Sequence, residues 1–364
     1  AFRWKMQTGY IRSAKRGELA VARNRNKYLY AGPAKSLTAI QFHLKSLDRS
    51  GSTYALVYDP RGNTQCVWLV GPNSIADARR RFVEVDGSDL KVLASGFRQM
   101  LNVTARAAQR LPVPRGSRSQ AWSDSGALPG RDRAVPQLLR SAVIPDRLMA
   151  KIEQSAKTLL VLPAADLSAV PFAALPSLDG RRSLVEYSAT MILPSVDALF
   201  FWVKMARIRR RAPMLVVGDP DLRNDPAFNF VPLPGAKAEA IEVGKMLKST
   251  PLIGSQATHS AVVERLKRRP RLIYLATHGV ANAKNPMDAS FLALTGQHLY
   301  AAEIKKLSYR DQHPLVVMSA CQTGLGKTFN AGVFGLARAW IHAGAAQVVA
   351  SQWNVDDAAT AHLM

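Results

Sequence analysis

Leu272-Ile273-Tyr274-Leu275-Ala276-Thr277-His278-Gly279 is a run of five apolar residues that opens onto a polar, glycine-ended turn. Leu315-Val316-Val317-Met318-Ser319-Ala320-Cys321-Gln322-Thr323-Gly324 has the same form. Short β-branched and aliphatic runs of this kind read as strands buried on both faces. Working outward, Met214-Leu215-Val216-Val217 and Val348-Val349-Ala350-Ser351 match them, and helical patterns fall between: Ala236 to Leu247, Ser260 to Arg268 with Thr258 as cap, and Val333 to Ala343 closed by Gly344. Alternation of strand and helix predicts a parallel sheet covered by helices on both sides. In such sheets ligands gather outside the carboxyl ends of the strands. Here those ends carry Gly218-Asp219-Pro220-Asp221, Thr277-His278-Gly279 and Ala320-Cys321-Gln322.

The 364 residues, 48% of them hydrophobic, are enough for two cores of ordinary size. No uninterrupted apolar run reaches the roughly eighteen residues of a membrane span, and Ala1-Phe2-Arg3-Trp4-Lys5 lacks the form of a signal peptide. A soluble, cytoplasmic protein with no membrane contact is expected. The chain starts without Met, so it reads as processed or as a piece of something longer. Forty-nine Lys and Arg against 26 Asp and Glu give a formal charge of +23. Such a surface attracts polyanions and acidic proteins over a Debye length of about 10 Å. No zinc-finger spacing or arginine-rich repeat turns that attraction into a dedicated nucleic-acid site, so nucleic acid enters only indirectly, through charge. Cys66 and Cys321 are the only cysteines, which excludes a disulfide scaffold and agrees with a reducing compartment. Cys66 lies in the apolar run Gln65 to Val70, where a buried thiol is the ordinary explanation.

Upstream, residues 1 to 35 form a basic arm with weak helical periodicity, or the end of a preceding helical region. From Ser36 the pattern predicts a helix over Leu37 to Leu47, then a hairpin: Thr53 to Tyr58, a Pro60-Arg61-Gly62-Asn63 turn, and Cys66 to Val70. A helical stretch over about Ser88 to Leu101 leads into a Pro, Gly, Ser and Arg-rich segment near 112–135, expected to be an exposed loop. Leu159 to Pro163 and Thr190 to Pro194 read as further strands, and Arg207 to Arg211 as a charged connector.

If the His278 and Cys321 strands are neighbours, both side chains emerge on one edge of one sheet. A free thiol, with a pKa of about 8.5, is only slightly ionised at neutral pH, and a nearby imidazole is the usual device that activates it. The backbone N–H of Gly279 is open to approach, and that of Cys321 supplies a second donor for an oxyanion. Each residue alone has a plain alternative, a hydrogen-bonded structural histidine and a core cysteine. Their joint occurrence at corresponding strand ends favours chemistry.

Thr277-His278-Gly279, Ser319-Ala320-Cys321-Gln322-Thr323-Gly324-Leu325-Gly326, Gly335-Leu336-Ala337-Arg338-Ala339 and Val349-Ala350-Ser351-Gln352-Trp353-Asn354-Val355-Asp356-Asp357, with Leu233-Pro234-Gly235-Ala236-Lys237-Ala238-Glu239 upstream, resemble the CHAT domain family. These are caspase-related peptidases of the same clan as separase, often carried with tetratricopeptide-type helical repeats. The resemblance runs from about Ser36 to the end. It implies an α/β fold in which a caspase-like, parallel-rich sheet flanked by helices (212–364) follows a related but inactive α/β companion subdomain (36–211). It also implies that Cys321 is the nucleophile of a cysteine endopeptidase, that His278 is its acid–base partner, and that the N–H groups of Gly279 and Cys321 bind the oxyanion. Neither metal nor cofactor is implied. The expected partners are a protein substrate and a regulatory protein or tetratricopeptide-type region. Asn330-Ala331 before Gly332, and Gln352 before Trp353, depart from the family pattern without touching the dyad.

Primary specificity in this clan is set by the walls near the cysteine, for which Asp219, Ser319, Asp356 and Asp357 are the candidates. An acidic pocket there favours Arg or Lys before the cut bond. The plain alternatives are that Asp219 caps a turn beside Pro220 and that Asp356 or Asp357 caps a final helix beginning near Ala358. Two rival functions differ in class. Cys321-Gln-Thr-Gly-Leu-Gly-Lys327-Thr328 departs from a phosphate-binding loop only at its first glycine. That reading needs a helix directly after Thr328 to receive phosphate, and the helical pattern resumes only at about Gly332. A non-catalytic scaffold is the other rival, although a decayed site would be expected to lose His278 or Cys321.

Overall fold

A computed structural model describes residues 36–61, 64–81, 92–98, 100–101, 113–114, 134–163, 167–168, 170–193, 196, 198–200, 212–282, 284–309, 312–321, 327–329 and 332–364. The basic arm, Gly62-Asn63 of the expected turn, the expected connector Arg207–Arg211, positions 322–326 of the phosphate-loop reading and nearly all of the segment near 112–135 expected to be a loop lie outside them. The chain divides into two compact units.

In the first unit, helix α1 (Leu37–Leu47) starts at Ser36, whose hydroxyl accepts from Ala39 N at 3.0 Å, and buries Ile40 and Leu44. Strands β1 (Thr53–Arg61), β2 (Thr64–Val70) and β3 (Ile75–Arg81) form an antiparallel meander. The hairpin pattern anticipated its first two strands. Helices α2 (Ala134–Val143) and α3 (Asp146–Ser155), which carry no clear signal in their residue pattern, precede β4 (Thr158–Leu162); β5 (Ala189–Ile192) closes the sheet. Strand order is β3-β2-β1-β4-β5, with β4 parallel to both β1 and β5. Cys66 is buried and free.

The second unit is built on five parallel strands: β6 (Met214–Pro220), β7 (Leu252–Gly254), β8 (Leu272–Ala276), β9 (Leu315–Ser319) and β10 (Gln347–Ala350), in the order β10-β9-β8-β6-β7. Four of the five follow from the apolar runs. The fifth, β7, is a three-residue edge strand too short to give a pattern. Helices α4 (Pro234–Leu247), α5 (His259–Lys267), α6 (Ala301–Ile304), α7 (Leu336–Ala343) and α8 (Asp357–Leu363) complete the unit.

Alternation along the strands sends side chains to two cores. Leu215, Val217, Ile273, Leu275, Val316 and Met318 pack with Val262 and Leu266 of α5 and with Leu336, Ala339 and Trp340 of α7. Val216, Tyr274, Ala276 and Val317 pack with Ala236, Ala240 and Val243 of α4. Burial on both faces explains why these strands read as continuous apolar runs.

Helix α7 begins three residues later than the periodicity suggested, because Gly332–Phe334 is extended; β-branched and aromatic residues at 333 and 334 favour strand. Its end is as expected: Gly344 has φ 106°, a conformation that only glycine adopts without strain, and its N–H returns to the last turn. Lys327–Phe329 is also a strand, so the helix N-terminus that a phosphate loop requires does not follow Lys327 and Thr328. Among the described residues no helix is long and apolar enough to cross a membrane.

Candidate active site

Strands β8 and β9 run in parallel register from Leu272↔Leu315 to Ala276↔Ser319. Thr277 N extends the ladder by donating to Ser319 O at 3.2 Å. His278 and Cys321 therefore each follow by two residues a pair locked side by side at the carboxyl edge of the sheet.

The backbone at His278 is fixed from one side by a short hairpin. Thr277 Oγ1 donates to Ala293 O at 2.7 Å, Ala293 N donates to His278 O at 2.9 Å, and Gly279–Val280 pairs antiparallel with Phe291–Leu292. The alternation of an antiparallel ladder makes Gly279↔Leu292 a non-hydrogen-bonded pair, so the Gly279 N–H points away from that strand.

The His278 imidazole is 6% exposed, and its ring lies 5.1 Å from that of Phe230. Its Nε2 is 2.6 Å from the Val231 carbonyl. A carbonyl can only accept, so the proton sits on Nε2 and the lone pair of the neutral ring is left on Nδ1. Burial pushes the His278 pKa down, against the opposing pull of the Val231 carbonyl and the charges of Asp219 and Asp357. At neutral pH the ring is a free base.

Cys321 is largely buried, and its Sγ is 3.7 Å from the Val355 carbonyl. Burial pushes the thiol pKa up; the Val355 contact opposes this, and the Asp357 charge adds to it. Burial thus favours the neutral imidazole and the protonated thiol. Segment 351–357 is fastened beside it. The Ser351 hydroxyl donates to the Ala320 carbonyl, and the Asp357 carboxylate accepts from Gly235 N at 2.6 Å and Ala236 N at 2.9 Å. Asp357 thereby caps the N-terminus of α4, where a negative charge is favoured. The approach is close enough that a Cβ on Gly235 would lie 2.6 Å from Asp357 Oδ2.

The four candidates for a specificity wall separate. Asp219, at φ 42°, accepts from Leu233 N at 3.0 Å; burial raises its pKa, the Leu233 N–H opposes, and the Asp357 charge adds. It therefore ties the end of β6 to the start of α4, a longer reach than a turn beside Pro220. Asp219 and Asp357 both act electrostatically on His278. Asp356 caps α8 through Ala359 N at 2.8 Å, as its plain alternative anticipated. Ser319 lies near Glu239, which is 4% exposed and accepts from Tyr274 OH at 2.5 Å. Burial raises the Glu239 pKa, against the opposing pull of Tyr274 and Ser319.

Glu239 was within reach of sequence reasoning. It shares the inward face of α4 with Ala236, Ala240 and Val243, and a carboxylate on an apolar helical face needs partners. The Val231 and Val355 carbonyls carry no side-chain signature at all. No grouping of three or more His, Cys, Asp or Glu that could hold a metal occurs among the described residues.

One prediction concerns the thiol. Alkylation of Cys321 by iodoacetamide, followed by peptide mass spectrometry across a pH series, has its midpoint above the ordinary thiol range, because a raised pKa keeps the sulfur protonated to higher pH. Asp357→Asn removes a negative charge and moves that midpoint down; a midpoint unmoved or higher in the variant contradicts the assignment. Cys66, buried in the first unit, serves as the unreactive internal reference.

Comparison with known proteins gives a family match and distant relatives. A family description, CHAT domain, matches residues 133–364. Tetratricopeptide repeat protein 28 of Homo sapiens is 25% identical over 251 residues, which is 56% of this chain and 10% of that protein. The Mus musculus protein of the same name is 25% identical over 327 residues, 73% of this chain and 13% of its own length. The chain therefore spans only about a tenth of the length of the curated relatives it matches.

Proposed function

The chain belongs to the CHAT domain family, a caspase-like family, and from that premise we propose that it is a cysteine endopeptidase working through Cys321 and His278. The observation that supports this reading is the β8–β9 register, in which His278, with its tautomer set, and Cys321, outside any disulfide, each follow by two residues a pair at one edge of one sheet.

His278 Nδ1 takes the thiol proton as sulfur attacks the peptide carbonyl carbon. The N–H groups of Gly279 and Cys321 receive the oxyanion. The imidazolium, favoured by the charges of Asp219 and Asp357, then gives its proton to the leaving amine, and a thioester remains on Cys321. Water activated by the same imidazole hydrolyses it and regenerates the thiol. The proton transfer is uphill in the resting pair, because burial favours the neutral form of both groups. Substrate docking supplies the difference by aligning the carbonyl with the oxyanion donors.

Asp219 and Asp357 are the best-placed specificity residues, since both act on the imidazole from nearby; they support a preference for Arg or Lys before the scissile bond. Asp356 and Ser319 contribute less, being turned to the start of α8 and to Glu239. The likeness to proteins named for tetratricopeptide repeats makes a region of that type the favoured partner.

A proteome-wide search for new protein termini, made by the wild type and absent with Cys321→Ala, tests the reading and reads out the cleavage preference. Equal termini from both forms reject the peptidase. Cuts confined to acidic or small residues reject the acidic wall.

A further inference from the structure

The two supports of His278 come from separate stretches of chain. Its backbone is held by the hairpin of Phe291–Leu292 and Leu299–Tyr300, and its ring by Phe230 and Val231 on the loop between β6 and α4. Asp225 and His298 join these two stretches by an ion pair, beside the Phe228–Phe291 ring contact and the Asp221 N to Thr295 Oγ1 hydrogen bond.

Asp225 on the loop and His298 on the hairpin are each 6% exposed, with Asp225 Oδ2 at 3.2 Å from His298 Nε2. The other carboxylate oxygen accepts from Ala227 N at 2.9 Å and Phe228 N at 2.7 Å, so it also sets the path of the loop toward Phe230. The His298 ring stacks on Phe291 at 4.2 Å with 3° between planes, and meets Phe230 edge-on at 5.8 Å. Phe230 in turn faces His278. A continuous chain of aromatic contacts thus runs from the bridge to the imidazole. Burying a carboxylate against an imidazole is costly unless both find partners, and no atom of Asp225 or His298 touches the reacting groups. Asp225 finds its partners, whereas the other ring nitrogen of His298 is buried without a hydrogen bond, so the pair stands at a cost that what it aligns explains.

We infer that Asp225 and His298 are positioning residues for His278, bridging the loop that orients its ring to the hairpin that fixes its backbone. The inference rests on the peptidase reading for its purpose, and on geometry alone for its content. Breaking the bridge frees the loop, the Val231 carbonyl drifts from Nε2, and the imidazole loses the partner that fixes its tautomer. Misplacement of about 1 Å costs roughly a hundredfold in rate when it affects a reacting group.

The experiment uses the full chain labelled with ¹⁵N in its histidine rings. The seven histidines are distinguished by the one resonance that His278→Gln removes. In the wild type the Nε2–H of His278 gives a slowly exchanging signal. Asp225→Ala and His298→Phe are expected to speed its exchange with water about tenfold or more, with the far-ultraviolet circular dichroism of the fold unchanged. Asp225→Asn keeps the shape, one acceptor for the loop N–H groups and one amide to meet His298, and is expected to restore slow exchange.

Wild-type exchange in either folded, bridge-broken variant overturns the inference. Should both variants fail to fold, Phe230→Leu decides, because it leaves the bridge and removes the ring between it and His278: faster exchange supports the inference and wild-type exchange overturns it. No substrate enters this measurement, so a chain that cleaves nothing still gives a readable result. Where cleavage is seen, the bridge-broken variants lose about tenfold in kcat with KM within about twofold, the signature of a misaligned base and an intact binding surface.

Discussion

His278→Gln lowers hydrolysis of a peptide carrying Arg before the scissile bond by about 10²–10⁴-fold, the range general-base removal commands. Glutamine is the informative replacement: its amide N–H reaches toward the Val231 carbonyl as Nε2 does, but it holds no proton-accepting nitrogen. The loss is then chemical, with the fold kept. The pH profile gives a second reading. Protonation disables the base, and burial has pushed the His278 pKa down, so the acid limb of kcat/KM in the wild type lies below the ordinary imidazole range and activity persists to lower pH than for an exposed histidine. Hydrolysis undiminished in the variant, or an acid limb above that range, contradicts the role assigned to His278.

Trp340→Ala gives the largest loss of stability. The side chain has no exposed surface and lies in the core of the second unit, with its ring 6.5 Å from that of Tyr309 and with Leu336 and Ala339 alongside. Truncating a buried Trp costs about 3–5 kcal/mol, the lost transfer energy plus the cavity left behind. For a unit of this size that lowers Tm by about 10 °C, measurable by scanning calorimetry. Val349→Ala, at an exposed position on β10, is the control and changes stability by less than about 0.5 kcal/mol. Equal effects from the two would contradict the packing described.

Strands β6, β8 and β9 were legible because both their faces are buried, which writes each as an unbroken apolar run. Two such runs ending alike raise the pairing of β8 with β9 only as a condition, and the register meets it. Edge strand β7 left no trace: three residues cannot establish a period. Helices α2 and α3 were lost for a different reason, since α2 begins at Ala134 directly beside a Pro, Gly, Ser and Arg-rich segment whose composition masks its start. Gly344 and Thr258 were readable as helix caps because each role needs a particular chemistry, a left-handed φ and a side-chain acceptor.

At the site, sequence could nominate side chains but not their destinations. Asp356 and Asp357 are adjacent in sequence and look equivalent. Yet one caps its own helix and the other crosses to the N-terminus of α4, a difference created only by packing. Ser319, a wall candidate in sequence, lies near enough to buried Glu239 to favour its charged form, a neighbour that sequence does not name.

The atom that orients the imidazole is main-chain oxygen, and this makes the site blind to one kind of change and fragile to another. Every residue at position 231 carries the same carbonyl, and the native valine is 40% exposed, so exchanging it leaves that acceptor in place. Removing or inserting a single residue between Asp225 and Val231 shifts that oxygen by up to about 3.5 Å along the chain, beyond hydrogen-bonding reach. At position 231 the identity of the side chain matters little, whereas the length of the loop is fixed by the reach of that oxygen.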